Sequence, residues 1–390
     1  MFVLSLFFCF CAYCGDTVRP GLEGIEQSHP SKEEAEFLAA IAKPLMEGLD
    51  VTEAMQAWFD GRLLETQKKQ DQAKDKWIEA ISKLDNLKPL PVAPFEPAPD
   101  ATFTKVAHLT LRRHPEVAFH VVQWKCGTLT EYGVIMFPRR LKENARYPLI
   151  LYCHGAAFGI PLSFSDFLAN MVKKGYVVIA PAMRGENLFQ TDLNFKGKIL
   201  KCDGEIENLD GEVDDCLSML SAAWKLPYVR PNEFAMLGHS FGAGVGLLTA
   251  ARAGAQAKAV VSYDAWLVNP QRYYWDRMRR AARNWDSWED YCNQPVHSQL
   301  LGLVKRSIIH HADKLECPLL LFMGGAYDGS VFHKSHADFT ARLTQLGKPF
   351  EYVLVPQGDH NFVLRLLSAP AIFAFKQQEA FLEKHYPPLK

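Results

Sequence analysis

Phe234-Ala235-Met236-Leu237-Gly238-His239-Ser240-Phe241-Gly242-Ala243-Gly244 decides how this chain is read. Glu233–Leu237 reads as a buried strand and Phe241–Ala253 as a helix, with only Gly-His-Ser between them. A strand-to-helix turn this tight needs small residues on both sides of the serine. Gly238 and Gly242 supply them, and Ala243 and Gly244 let the helix pack close to the strand. Such a turn leaves the Ser240 hydroxyl standing clear of the backbone, at a helix N-terminus that favours negative charge. Ser240 is therefore the candidate nucleophile.

On either side, short apolar runs alternate with amphipathic segments. Strands are expected at Val117–Trp124 and Leu129–Phe137, a hairpin. Further strands are expected at Leu149–Cys153, Tyr176–Ala180, Ala259–Tyr263, Pro318–Met323 and Phe350–Val355. Helices are expected at Phe164–Lys174, Ile206–Trp224, His333–Leu346 and Ile372–His385. This alternation predicts an α/β fold with a mostly parallel, doubly wound sheet. In such sheets the reactive groups collect at the carboxyl ends of the strands.

A serine hydroxyl is a poor nucleophile at neutral pH without a base beside it. His360, in Gly358-Asp359-His360-Asn361-Phe362, follows the last expected strand and is the candidate base. The acid has two candidates. Asp328 lies in Gly325-Ala326-Tyr327-Asp328-Gly329-Ser330-Val331, after the strand Pro318–Met323; Asp264 ends the preceding strand, in Ser262-Tyr263-Asp264-Ala265-Trp266. Both fit the order nucleophile, acid, histidine; Asp328 is favoured, since G-x-x-D-x-x-V after this strand, 32 residues before His360, is the commonest placement of the acid, and Asp264 remains the alternative. Asp359 reads as a turn residue. An oxyanion hole needs two backbone N–H groups; Phe241 and Ala156, in His154-Gly155-Ala156-Ala157, are the candidates, with His154 bracing that loop. Arg184-Gly185-Glu186 reads as a loop tied by its own salt bridges.

Residues 265–314 form an insertion rich in aromatics and arginines, expected as a cap whose aromatics line the substrate pocket. Trp266 and Tyr327 are the candidate substrate contacts. The arginines read first as the solvated face of an amphipathic helix. Residues 15–87 read as a helical region, in which Ser31 and Glu34 resemble a capping box. Gly61, Ala73, Trp77 and Ala80 fit one tetratricopeptide-like unit, but one copy makes no solenoid and a packed helical hairpin is the expectation. Five prolines between residues 88 and 100 mark a linker, and residues 101–390 form the main domain.

The chain has 390 residues and a formal net charge of -1, which gives no electrostatic reason to expect a nucleic-acid partner. Phe2–Tyr13 is too short to span a membrane but suits the apolar core of a signal peptide over residues 1–14. That predicts a secreted or periplasmic protein, with a cytoplasmic one as the alternative. The nine cysteines are scattered, without a C-x-x-C pair, so neither a disulfide framework nor a zinc site is indicated.

From about Pro115 onward, the chain resembles the α/β-hydrolase superfamily, within it the dienelactone hydrolase and prolyl-oligopeptidase-like group. His154-Gly155, Arg184-Gly185, the Ser240 turn, G-x-x-D-x-x-V and Gly358-Asp359-His360 carry the likeness. Dienelactone hydrolases have cysteine where this chain has Ser240, a departure that argues for esterase or peptidase chemistry. The Ser240 pentapeptide with Asp264-Ala265-Trp266 also resembles platelet-activating-factor acetylhydrolases, whose acid follows the earlier strand. The resemblance implies a serine hydrolase that cleaves small-molecule carboxylic esters through an acyl-enzyme, without metal or organic cofactor. A peptidase or aminoacyl amidase, and a catalytically idle binding protein on the same fold, are the alternatives. No β-propeller is read ahead of the catalytic part, so a full prolyl oligopeptidase architecture is not expected.

Overall fold

The structure, a computed structural model, describes residues 30–155, 158–195, 197–280, 294–327 and 329–390. The apolar leader therefore lies outside the described residues, as do Ala156, Trp285, Trp288, Tyr291, Cys292 and Asp328. In chain order the helices are α1 (Lys32–Met46), α2 (Thr52–Thr66), α3 (Gln70–Ser82), α4 (Ser165–Lys174), α5 (Gly211–Trp224) and α6 (Phe241–Ala253). They continue with α7 (Pro270–Arg280), α8 (Val296–Arg306), α9 (Val331–Gln345) and α10 (Ala369–His385). The strands are β1 (Thr104–Leu109), β2 (Val117–Cys126), β3 (Leu129–Pro138), β4 (Leu149–Cys153), β5 (Val177–Pro181), β6 (Asn194–Phe195) and β7 (Lys198–Ile199). They end with β8 (Phe234–His239), β9 (Ala257–Tyr263), β10 (Leu319–Gly324) and β11 (Phe350–Val355). None of the described helices is long and apolar enough to cross a membrane.

The chain divides into two compact units, and the division is discontinuous in sequence. Among the described residues, the helical unit joins residues 30–92 with residues 270–280 and 294–305. Its core holds Phe37, Ile41, Trp58 and Trp77. The α2–α3 pair is a tight hairpin: a Cβ on Gly61 would lie 2.4 Å from Trp77 Nε1, so only glycine lets the indole seat there. Ser31 caps α1 by accepting the Glu34 N–H at 3.2 Å. Glu34 does not complete a reciprocal box, because its carboxylate turns inward to accept from Trp58 Nε1 at 3.0 Å. Burying that indole N–H without an acceptor would cost more than the cap gains. The insertion is tied into this same unit. Trp275 Nε1 donates to the Leu38 carbonyl at 2.9 Å, and Thr52 Oγ1 meets His297 Nδ1 at 3.1 Å.

The sheet unit, residues 93–269 and 306–390, is built on a nine-stranded sheet of order β1-β2-β3-β5-β4-β8-β9-β10-β11. From β5 to β11 every pairing is parallel, while β1-β2, β2-β3 and β3-β5 are antiparallel. The sequence pattern follows this division. Strands β4, β5, β8 and β10 are buried along their whole length and read as continuous apolar runs. In β2 buried and half-exposed positions alternate over most of its length, as for a strand with one wetter face.

Two elements depart from expectation. Strand β1 was not foreseen, since its residues, none of them fully buried, give little apolar signal. The helix expected from Ile206 starts at Gly211, because Asn208 and Leu209 have φ of 56° and 69°. Glu212 turns back to accept the N–H groups of Glu207, Asn208 and Asp210, which holds this coil in place of a first helical turn.

Candidate active site

Ser240 sits between β8 and α6 with φ of 52° and ψ of -118°, a conformation that a side chain adopts only when its surroundings enforce it. The surroundings do so here. The Ser240 N–H donates to the Tyr263 carbonyl at 2.9 Å, and its carbonyl accepts from Trp266 N at 2.9 Å. A Cβ on Gly242 would fall 2.3 Å from the carbonyl oxygens of both Cys153 and His154. The missing side chain thus lets the start of α6 press against the end of β4. A Cβ on Gly238 would meet the α6 backbone at 2.7 Å. Phe241 opens α6, where an N–H has no acceptor within the helix.

His360 lies in the loop after β11. Its Nε2 is 2.8 Å from Ser240 Oγ. Burial, and then the neighbouring His239, push its pKa down to about 3, so the ring is neutral at pH 7 and its Nε2 lone pair is available to the hydroxyl proton. Its Nδ1 has no hydrogen-bond partner among the described residues. The ring packs against Phe332, with centroids 4.9 Å apart, and against the edge of Tyr327 at 6.2 Å. Asp359 points away: its Oδ1 accepts from Asn361 N at 2.9 Å and from Arg365 Nη2 at 2.7 Å.

Of the two acid candidates, Asp328 lies outside the described residues, directly after Tyr327. Asp264 is fully buried with φ of 47°. Its Oδ1 accepts the Gly324 N–H at 2.7 Å, tying the end of β9 to that of β10. Burial raises its pKa to about 7, against the opposing pull of the Tyr327 hydroxyl and the Gly324 N–H. No hydrogen bond joins it to His360 among the described residues.

The second oxyanion candidate, Ala156, also lies outside the described residues, but both ends of its loop are anchored. Glu186 Oε2 lies 3.1 Å from His154 Nε2 and accepts the Gly159 N–H at 3.1 Å. Glu186 is pushed up to about 7 by burial, while His154 is raised because the Glu186 carboxylate outweighs its own burial. Arg184 is held by Asp215 and Glu207 in a salt-bridged loop. Trp266 is half-buried with its ring 5.9 Å from that of Phe241; Tyr327 is half-buried beside His360 and His333. An open groove of about 680 Å³ lined by Phe167, Leu366, Phe375, Arg113 and Arg365 does not include Ser240 or His360.

Sequence reasoning overlooked His239. It is fully buried, and its Nε2 lies 2.8 Å from the His360 carbonyl oxygen. Its place inside the pentapeptide, at the end of a strand whose side chains alternate between faces, was the available signal.

An α/β sheet of this order, with a serine in a forced turn after β8 and a histidine after β11, defines the α/β-hydrolase fold. Solved structures share it. An acetyl xylan esterase from Paenibacillus sp. R4 matches with a TM-score of 0.53 at 16% identity, covering 88% of this chain and 99% of that one. An acylaminoacyl peptidase from Pyrococcus horikoshii matches with a TM-score of 0.51 at 17% identity, covering 74% of this chain and 42% of that one. The model of the prolyl oligopeptidase family matches residues 162–386, more than half of the chain, and the protein belongs to that family. Dipeptidyl-peptidase 5 of Porphyromonas gingivalis is 24% identical over 240 residues, covering 58% of this chain and 32% of that protein. The chain spans about a third of the length of this curated relative.

Proposed function

We propose that this protein is a serine hydrolase that cleaves carboxylic esters through an acyl-enzyme. The observation that carries the reading is the 2.8 Å contact between Ser240 Oγ and His360 Nε2 at a strand-to-helix turn. Ser240 attacks the ester carbonyl carbon while His360 Nε2 takes the hydroxyl proton. The tetrahedral oxyanion is met by the N–H groups of Phe241 and Ala156. As the C–O bond breaks, His360 returns its proton to the leaving alkoxide. Water, deprotonated by His360, then attacks the acyl-enzyme and releases the acid and Ser240. Asp328 is assigned as the carboxylate that orients His360 Nδ1–H. The assignment is supported by its place after β10, next to Tyr327, and by the engagement of Asp264 with Gly324.

A second reading, a peptidase or aminoacyl amidase, draws on the family to which the chain belongs. Both share the acyl-enzyme and differ in the leaving group. The test is a fluorophosphonate probe followed by a panel of aryl esters, phospholipid esters and aminoacyl amides. Covalent labelling of the wild type, lost in Ser240→Ala together with turnover, is the expected result. Preferential turnover of aminoacyl amides would move the assignment to the second reading. An unlabelled wild type would favour the idle binding protein.

A further inference from the structure

We infer that His239 is a positioning residue that holds the general base in line with the serine; this rests on the reading of Ser240 and His360 as nucleophile and base. The His360 carbonyl can only accept, so the 2.8 Å contact requires the proton on His239 Nε2. That fixes the tautomer and leaves Nδ1 as a bare lone pair. Nδ1 is buried and has no hydrogen-bond partner among the described residues. Burial pushes this imidazole down to about 4, so the ring stays neutral near pH 7 and keeps the tautomer that the bond needs.

The ring also touches a second catalytic segment. A Cβ on Gly155 would lie 2.5 Å from His239 Nδ1. One side chain thus separates, and spaces, the loop after β4 and the loop after β11, while its own backbone leads directly into Ser240. Neighbours of His360 are tied by other groups: Ala326 N donates to the Gly358 carbonyl and Phe362 N to the Asp359 carbonyl. The His360 carbonyl itself is held by His239. Packing does not account for an imidazole here. An apolar residue of similar size would fill the space without a buried nitrogen that lacks a partner among the described residues, which is costly. The Nε2–H is what such a residue would lack.

Catalysis by a positioned base is steep in distance, and a displacement near 1 Å costs about 100-fold. The test compares His239→Leu, His239→Gln and His239→Asn with the wild type. The measurements are kcat and KM for an aryl ester, the rate of fluorophosphonate labelling and the melting temperature. A glutamine amide N–H can reach the place of Nε2, whereas an asparagine amide, one carbon shorter, reaches only that of Nδ1. The expected result is a fall in kcat of about 10- to 100-fold for Leu and Asn with KM unchanged, and recovery of most of kcat by Gln. Where Leu does not fold, the Gln and Asn pair carries the comparison. A labelled wild type with kcat unmoved in Leu, or with Gln as impaired as Asn, overturns the positioning role alone. A wild type that neither labels nor turns over ester overturns the hydrolase reading and this inference with it.

Discussion

Arg184, buried, and His360, half-buried, are both ionisable side chains in the sheet unit, and their surroundings treat them in opposite ways. Each guanidinium nitrogen of Arg184 has a carboxylate partner. Its Nη2 donates to Asp215 Oδ1 at 2.8 Å, its Nε to Oδ2 at 3.1 Å, its backbone N to Oδ2 at 2.8 Å, and its Nη1 to Glu207 Oε1 at 2.6 Å. Such a network holds the guanidinium charged and leaves it no proton to exchange. His360 is held neutral by burial, with Nε2 on Ser240 and Nδ1 without a partner among the described residues. A group proposed to move protons needs a neutral ring with a nitrogen facing the hydroxyl, and a group that braces a loop needs only fixed charge partners. The difference separates a proposed chemical role from a scaffolding one among ionisable side chains of the same unit.

The largest effect should come from supplying or removing the partner of Nδ1. Asp328→Asn is expected to lower kcat by about 10⁴-fold, because the wrong imidazole tautomer is then favoured. Asp264→Asn should stay within about tenfold, or about 1.4 kcal/mol of barrier, since asparagine can still accept the Gly324 N–H. Steady-state kinetics on the two variants checks the order. The reverse ranking would transfer the acid to Asp264 and with it the partner of His360.

On the scaffold side, Asp215→Asn should cost stability instead of chemistry. Removing one member of a buried ion pair leaves the other charge uncompensated, a loss of about 3–5 kcal/mol. Urea denaturation should show it, while kcat per folded molecule, counted by fluorophosphonate titration, stays near that of the wild type. A fall in kcat at unchanged stability would mean that Arg184 belongs to the chemical face of the comparison.

A pH-dependent effect belongs to Glu131, which is fully buried beside this network and pushed up to about 8, first by burial and then by Asp215. Its folded pKa lies above its unfolded one, so its contribution to stability is complete below about 4.5 and is lost as pH rises through about 8. Glu131→Gln has no proton to lose. Its melting temperature relative to the wild type should therefore climb between pH 5 and pH 9, by roughly 2–4 °C for each kcal/mol. A flat difference across that range would show that Glu131 does not titrate there.

The candidate site was legible in the sequence where the proposed chemistry and the local geometry use the same residues. Gly238 and Gly242 announce Ser240 because a strand-to-helix turn of that tightness excludes a Cβ, and His360 follows from its place after the last strand. Strand β1 was illegible for the converse reason: with no position fully buried, it is recruited by pairing with β2 and carries little hydrophobic pattern of its own. His239 lay in plain view, but its partner is a backbone carbonyl 121 residues away, and carbonyls leave no trace in residue type.

By itself the sequence determined the alternation of elements, the strained serine and the histidine that answers it, because periodicity and small-residue spacing are local properties of the chain. Only the tertiary structure decided that residues 270–280 and 294–305 join the N-terminal helices in one unit, that Glu34 abandons its cap for Trp58, and that His239 reaches the carbonyl of His360. Those outcomes depend on which buried donor finds which acceptor once distant segments have met. That choice is made by desolvation and distance in the folded protein, and the order of residues does not record it.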